Sequence, residues 1–298
     1  MAPSAITEEK KDDAVVPFKP HGKEDMTPLQ AISQGVCLPG IPLYSDMDKQ
    51  RNFILSHMAA AFRVFARKGF TEGMSGHIST SKSLTPQPNP HTFWTNPLGK
   101  HFGQLKASDM ILVDYDGKAI GGNMTRPANA AGFLIHSAVH KARPDANAAC
   151  HTHSKYGKAW STFARPLEML NQNVCYFYGD AQAVYKDCGG IVFSEAEGKR
   201  LAASLGPNGK GLILRNHGLL TVGHTVDEAA YLYTLMERSC EVQLMVEAAA
   251  ANGVPKVLVP NEAAEYTFKM GADQESLYWE FQPDYDYEEE QCNGEFHN

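Results

Sequence analysis

Three histidines carry the sharpest chemical signal in this sequence. His151-Thr152-His153 follows the apolar run Ala148-Ala149-Cys150, and His217 stands in the turn-like stretch Asn216-His217-Gly218. Alternate side chains of a β-strand point to one face, so a strand ending in His-x-His aims both imidazoles at one place. Three neutral nitrogen donors leave coordination positions open on zinc or iron, which is the arrangement of a catalytic site more than of a closed structural one. The competing account is that His151 and His153 are buried and satisfied by hydrogen bonds, with His217 an unrelated turn residue.

His136 and His140 form a second pair, four apart on one helix face, with the spacing of HExxH zinc sites. The glutamate that would act as base is missing, and Phe133, Leu134, Ile135 and Val139 turn much of that helix toward a core. Ordinary helix histidines, capped by backbone or water, are the expected account. His77, His91, His101, His224 and His297 taken singly read as structural or exposed.

The elements that must position these groups follow from capping and apolar pattern. Ser or Thr followed three residues later by a carboxylate can satisfy the free amides of a first helical turn. Ser45 opens a helix through Phe53, Met58 and Phe65 that stops near Gly69. Ser194 opens another that ends by Gly206-Pro207, and Thr225 begins the longest, through Ala251, with Gly253 and Pro255 as terminators. A further helix runs from about Ala130 to Lys141. Short apolar runs predict strands at His77 to Ser81, Thr92 to Thr95, Met110 to Asp114, Ala148 to Thr152, Gly211 to Leu214 and Leu219 to Val222. Tyr115-Asp116-Gly117-Lys118 is a hairpin turn signal. There is no consistent βαβ rhythm and no GxGxxG between a strand and a helix, so a mixed sheet layered between helices is expected over a Rossmann domain.

Composition narrows the function classes. At 298 residues and 43% hydrophobic the chain can bury a large core. Lys+Arg 27 against Asp+Glu 34, with no basic stripe, argues against a nucleic-acid partner. The six cysteines lack CxxC spacing and the N-terminus lacks an apolar signal core, which predicts free thiols in a cytoplasmic protein. No stretch is apolar enough for a membrane span. Residues 1–22 read as a flexible lead, 23–282 as one domain and 283–298 as a solvated acidic tail.

The run from Ala131 to His153, together with Leu212 to Gly223, resembles the class II aldolase/adducin superfamily over most of the chain, closest to its adducin-head-like fungal branch. The resemblance implies an α/β fold, a three-layer α/β/α sandwich around a mostly antiparallel central sheet, usually assembled as a homotetramer with sites at subunit boundaries. It implies His151, His153 and His217 as ligands of a divalent metal that polarises a substrate carbonyl. Zinc is the usual ion, and iron(II) is the alternative.

The resemblance also brings out departures. Where such aldolases carry Ser-Ser-Glu ahead of the His-x-His motif, this chain has Ala130, Ala131 and Gly132, so the acid/base glutamate and two phosphate-binding serines are replaced. Where they usually have Gly-Asn, this chain has Gly76-His77. A desolvated phosphate that loses a donor loses about 1.5–3 kcal/mol, so a phosphorylated substrate is disfavoured. Glycine at 132 is expected to clear space beside the metal for a bulkier ligand.

Three functions remain. The first is a metal-dependent lyase of retro-aldol type acting on a non-phosphorylated carbonyl or hydroxy-acid substrate, with His77, Tyr176 or Tyr178 moving the proton and Gln172 and Asn129 near the substrate. The second is a non-haem iron oxygenase or decarboxylase on the same three-His site. The third is a non-catalytic adducin-like binding module, against which the absence of a long basic tail argues. The intact triad combined with a missing phosphate site puts the lyase first.

Overall fold

The computed structural model describes residues 23, 25–81, 91–187, 190, 192 and 194–298. The lead expected over 1–22 therefore lies outside the described residues. In chain order the elements are α1 (Pro28–Ile32), α2 (Met47–Arg67), β1 (His77–Thr80), β2 (Thr92–Thr95), β3 (Ile111–Asp114), β4 (Ala119–Gly122), α3 (Ala130–Ala142), β5 (Ala148–Thr152), α4 (Lys155–Ser161), β6 (Gln182–Tyr185), α5 (Glu195–Leu205), β7 (Gly211–Leu214), β8 (Gly218–Gly223), α6 (Val226–Ala251), α7 (Asn261–Gly271) and α8 (Gln274–Cys292).

The strands form a single sheet in the order β4-β3-β2-β1-β5-β8-β7-β6. Every pairing is antiparallel except β6 with β7. Helices cover both faces, as expected for the three-layer sandwich. On one face α2, α6 and α8 bury Met58, Phe62, Tyr233, Met236 and Phe281 against Ile78, Cys150, Ile213 and Leu219. On the other, α3 and α5 bury Ile135, Val139 and Leu201 against Ala149, Leu212, Leu214, Leu220 and Val222. Odd and even strand positions thus serve different layers, the period-2 rule at work.

Local chemistry explains the helix starts. Ser194 and Thr225 accept from Glu197 N and Glu228 N, as their spacing predicts. The cap of α2 is Asp46, one residue beyond the expected Ser45, and its carboxylate accepts from Asp48 N and Lys49 N. Tyr115-Asp116-Gly117-Lys118 joins β3 to β4, with Gly117 at φ 87° and Asp114 accepting from Asp116 N and Lys118 N.

The acidic segment after 282 is not a solvated tail. It continues α8, with Pro283 inside the helix, and Phe296 beyond it is fully buried. Asp284 pairs with Lys68 and Glu288 with Arg67, at the C-terminal end of α2, while Tyr285 stacks on the His57 ring with centroids 4.2 Å apart. Carboxylates that look solvent-bound in sequence have basic partners on a distant helix, whose dipole also favours those cations.

Candidate metal centre

β5 lies between β1 and β8, and the register sets His151 opposite His77 on one side and Leu220 on the other. Alternation sends His77, Ser79, Ala149, His151 and His153 toward the α3/α5 layer, and Ile78, Cys150 and Thr152 toward α6. Gly76 enters β1 at φ 97°, pressed so close to Phe102 that a Cβ there would lie 2.9 Å from its ring. His217 comes from the turn between β7 and β8, where His217 N donates to Leu214 O at 3.0 Å. Asn216 in that turn is at φ 56°, a left-handed conformation that asparagine tolerates.

The turn brings His217 onto the pair from β5. The ring centroids of His151, His153 and His217 are 4.8–5.2 Å apart and the rings stand nearly perpendicular. His153 Nε2 and His217 Nε2 are 2.9 Å apart, and one nitrogen from each of the three rings lies within 4.8 Å of the others. His151 Nδ1 donates to Leu219 O at 2.7 Å, which sets its tautomer and leaves Nε2 as the donor atom.

Burial pushes the pKa of His151 well below its ordinary value, with His217 adding to the effect. Burial and then His153 bring His217 down to about 4. His153 is also lowered by burial, against the opposing pull of Glu72. Three neutral imidazoles with converging lone pairs are the donor set that zinc or iron(II) takes, so the residues fit a divalent ion.

Helix α6 holds the strand end from the opposite face. Tyr233 Oη donates to Thr152 O at 2.9 Å and accepts from Thr152 Oγ1 at 2.7 Å. Glu237 accepts from Ser154 Oγ at 2.5 Å, Tyr156 N at 2.7 Å and Gly157 N at 2.6 Å. Its carboxylate therefore occupies the N-terminus of α4, where free amides and the helix dipole favour an anion. Lys158 and Glu72, whose charges both act on His153, pair with each other.

The three histidines border a cavity of about 490 Å³, within the range of small-molecule sites. Ile135, Leu201, Leu214 and Val192 give it apolar walls, Asn129 and the carboxylates of Asp187 and Glu197 also line it, and Arg215 is the one cationic side chain among its described lining residues. Asn129 also caps α3, its Oδ1 accepting from Gly132 N at 3.0 Å. The hydroxyl of Tyr185, on the same wall, is buried without a hydrogen-bond partner among the described residues.

Gly132 does not open space beside the centre. A Cβ built on it would lie 2.4 Å from His77 Cδ2 and 2.7 Å from Nε2, so the His77 imidazole fills the volume that glycine vacates. His77 lines the cavity with its ring centroid 4.9 Å from that of His151. Tyr176, Tyr178 and Gln172 are not brought to the cavity within this chain. The Tyr176 ring is pressed against Gly271 of α7, and burial, then Glu280 and Asp273, push its pKa up to about 12. Gln172 is exposed at the start of the short helical turn Asn173–Phe177.

His136 and His140 lie outside the three-histidine group, and His140 has the expected backbone partner in Ala146 O, at 3.2 Å from its Nδ1. Both are buried and both meet Ser79 Oγ. Ser79, Tyr233, Glu237, Tyr185 and Arg215 were not legible as site residues. A carboxylate at 237, one turn from Tyr233 within the apolar stripe that continues to Cys240, is the one signal that could have pointed to these contacts.

The sheet order and the three-histidine group at the end of β5 are shared ground for comparison with known families. The model of the Class II Aldolase and Adducin N-terminal domain matches residues 56–244, and the protein belongs to that superfamily. It is 41% identical over 257 residues to the Meiotically up-regulated gene 14 protein of Schizosaccharomyces pombe, covering 86% of this chain and 96% of that one. It is 39% identical over 228 residues to the 4-hydroxy-3-prenylphenylpyruvate oxygenase/4-hydroxy-3-prenylbenzoate synthase of Streptomyces roseochromogenus, covering 76% of this chain and 78% of that protein. Among solved structures, the L-fuculose 1-phosphate aldolase of Glaciozyma antarctica superposes with a TM-score of 0.77 at 36% identity, covering 87% of this chain and 97% of that one. No described helix is long and apolar enough to cross a membrane.

Proposed function

We propose that this protein is a divalent-metal lyase that breaks a carbon–carbon bond beside the carbonyl of a non-phosphorylated substrate, a 2-oxo acid with an apolar or aromatic body. The observation that carries the reading is the pairing of a convergent three-histidine donor set with His77 in the volume of a side chain at 132, under apolar cavity walls. His151, His153 and His217 would hold the ion, zinc by the superfamily's habit. When bound, the ion supplies a Lewis acid for the carbonyl.

The remaining chemistry belongs to the chain. Arg215 presents a planar cationic fork suited to a carboxylate. A single cation, with alanines at 130 and 131, makes a poor cradle for a phosphate dianion. Ile135, Leu201 and Leu214 exclude water from the body of the substrate. His77 takes the proton of the hydroxyl on the carbon that becomes the new aldehyde, the carbon–carbon bond breaks, and the same proton returns to the carbanionic carbon. The net reaction consumes no proton, and a base so placed contributes about 10²–10⁴ in rate. Assembly into homotetramers, as is usual in the superfamily, belongs to this reading and would show in light scattering.

The test uses 4-hydroxy-2-oxo-4-phenylbutanoate. The lyase reading expects pyruvate and benzaldehyde in equal amounts, lost on chelation and restored by zinc. No cleavage with any divalent ion would overturn it. The 39% identity to an oxygenase acting on a prenylphenylpyruvate favours one second reading, an iron(II) oxygenase or decarboxylase on the same three histidines. Dioxygen uptake with 4-hydroxyphenylpyruvate, dependent on iron, would establish it in place of the lyase.

A further inference from the structure

The unexplained feature beside the centre is a continuous hydrogen-bonded chain of buried side chains running away from it. His77 Nδ1 meets His136 Nε2 at 2.6 Å, and His136 Nδ1 meets Ser79 Oγ at 2.5 Å. Ser79 Oγ meets His140 Nε2 at 2.7 Å, and His140 Nδ1 meets Ala146 O at 3.2 Å. Two periodicities build it. His77 and Ser79 are two apart on β1 and share a face, while His136 and His140 are four apart on α3 and share a face, so the pairs interdigitate across the layer.

The chain has one direction. A carbonyl oxygen only accepts, so His140 Nδ1 carries a proton. Burial holds the pKa of His140 down at about 4, so the ring is neutral and its Nε2 is a bare acceptor. Ser79 has a single hydroxyl proton, which it donates to His140 Nε2, and it must then accept from His136 Nδ1–H. His136 is 1% exposed with no carboxylate among its partners, a place where an unpaired cation is costly. Its Nε2 therefore accepts, and His77 Nδ1 donates. Each tautomer follows from the one before, starting at the carbonyl of Ala146.

We infer that Ser79, His136 and His140 form a tautomer relay that holds His77, a cavity-lining ring, with its proton on Nδ1 and an unprotonated Nε2 on the side of Gly132. They are positioning residues, acting through His77. The inference rests on the proposed lyase reading for the use of that lone pair, as proton acceptor from the substrate hydroxyl. The relay itself stands on the hydrogen-bond geometry. It explains why a strand histidine does the work of a carboxylate: a carboxylate accepts in any orientation, whereas an imidazole must be told which nitrogen to leave bare.

The test has a structural arm and a kinetic arm. Neutron diffraction from a perdeuterated crystal of the zinc-loaded protein is expected to show deuterium on Nδ1 of His77, His136 and His140 and none on His77 Nε2. Deuterium on His77 Nε2, or on His136 Nε2, overturns the relay without reference to turnover. In the kinetic arm, Ser79→Ala is expected to lower kcat for 4-hydroxy-2-oxo-4-phenylbutanoate at least tenfold, with KM and zinc content unchanged. Ser79→Thr, which keeps the hydroxyl, is expected to recover most of it. An unchanged kcat in a folded, zinc-loaded Ser79→Ala protein overturns the relay while leaving the lyase intact. The expected deuterium pattern in a protein that cleaves nothing upholds the relay and overturns the lyase.

Discussion

The imidazole of His77 and the missing side chain of Gly132 occupy one volume, since a Cβ on Gly132 would come within 2.4 Å of His77 Cδ2. The two positions must therefore change together. Gly132→Ala should destabilise the protein by about 1–3 kcal/mol through overpacking, although alanine is the better helix former by about 1 kcal/mol. Gly132→Glu should cost more, and His77→Asn should relieve it, so that the double variant is more stable than the two single effects summed. Denaturant melts of the four proteins measure the coupling, and additivity would contradict the shared volume. Adding Ala130→Ser and Ala131→Ser to the double variant should create binding of inorganic phosphate, readable by calorimetry.

Tyr233 and Glu237 hold the end of β5 without touching the ion site. Tyr233→Phe removes the hydroxyl that binds Thr152 O, and Glu237→Gln weakens the anion at the start of α4. Each should lower zinc affinity by about 10–100-fold, the usual effect of loosening groups that orient ligands, with the fold retained by circular dichroism. Unaltered zinc affinity in both would show that the histidines are placed by the sheet alone.

His140 gives a pH dependence with a definite sign. In the folded chain burial holds it near 4, whereas an unfolded chain binds its proton around the ordinary value of 6.5. Between those values the unfolded state carries the extra proton, so stability is full above pH 6.5 and falls as the pH drops toward 4. The slope is about 1.4 kcal/mol per pH unit per group, on the order of 3 kcal/mol over the window. Urea midpoints of metal-free protein at pH 7.5 and 5.5 should diverge less in His140→Gln than in the parent. Equal divergence would mean that His140 takes up its proton alike in the folded and the unfolded chain.

Arg215 separates binding from chemistry. Arg215→Met should raise KM for 4-hydroxy-2-oxo-4-phenylbutanoate about tenfold while kcat changes little, and L-fuculose 1-phosphate should not be cleaved by either protein. A fall in kcat at constant KM would move Arg215 from substrate recognition to the reaction itself.

The legible parts of this chain were those whose cause is local. Ser194 and Thr225 announce α5 and α6 because a cap and its partner lie within one turn. His151 and His153 announce a shared direction because a strand alternates. What escaped depends on partners far along the chain. α8 was hidden because Asp284 and Glu288 find Lys68 and Arg67 on a helix more than two hundred residues away in sequence. The link between His77 and Gly132 was hidden for a similar reason: β1 and α3 meet only once the sheet is formed, so glycine at 132 looked like an opening although the His77 ring fills it. The relay was missed because His136 and His140 look like core histidines until Ser79 is set between them.

The most direct test is elemental analysis of the protein, purified anaerobically without a metal-binding tag, beside His151→Ala and His217→Ala. The account predicts close to one divalent ion per chain in the parent, zinc for the lyase, and loss of both ion and pyruvate release in each variant. A parent that contains no metal and takes none up, or variants that keep the ion, would contradict it.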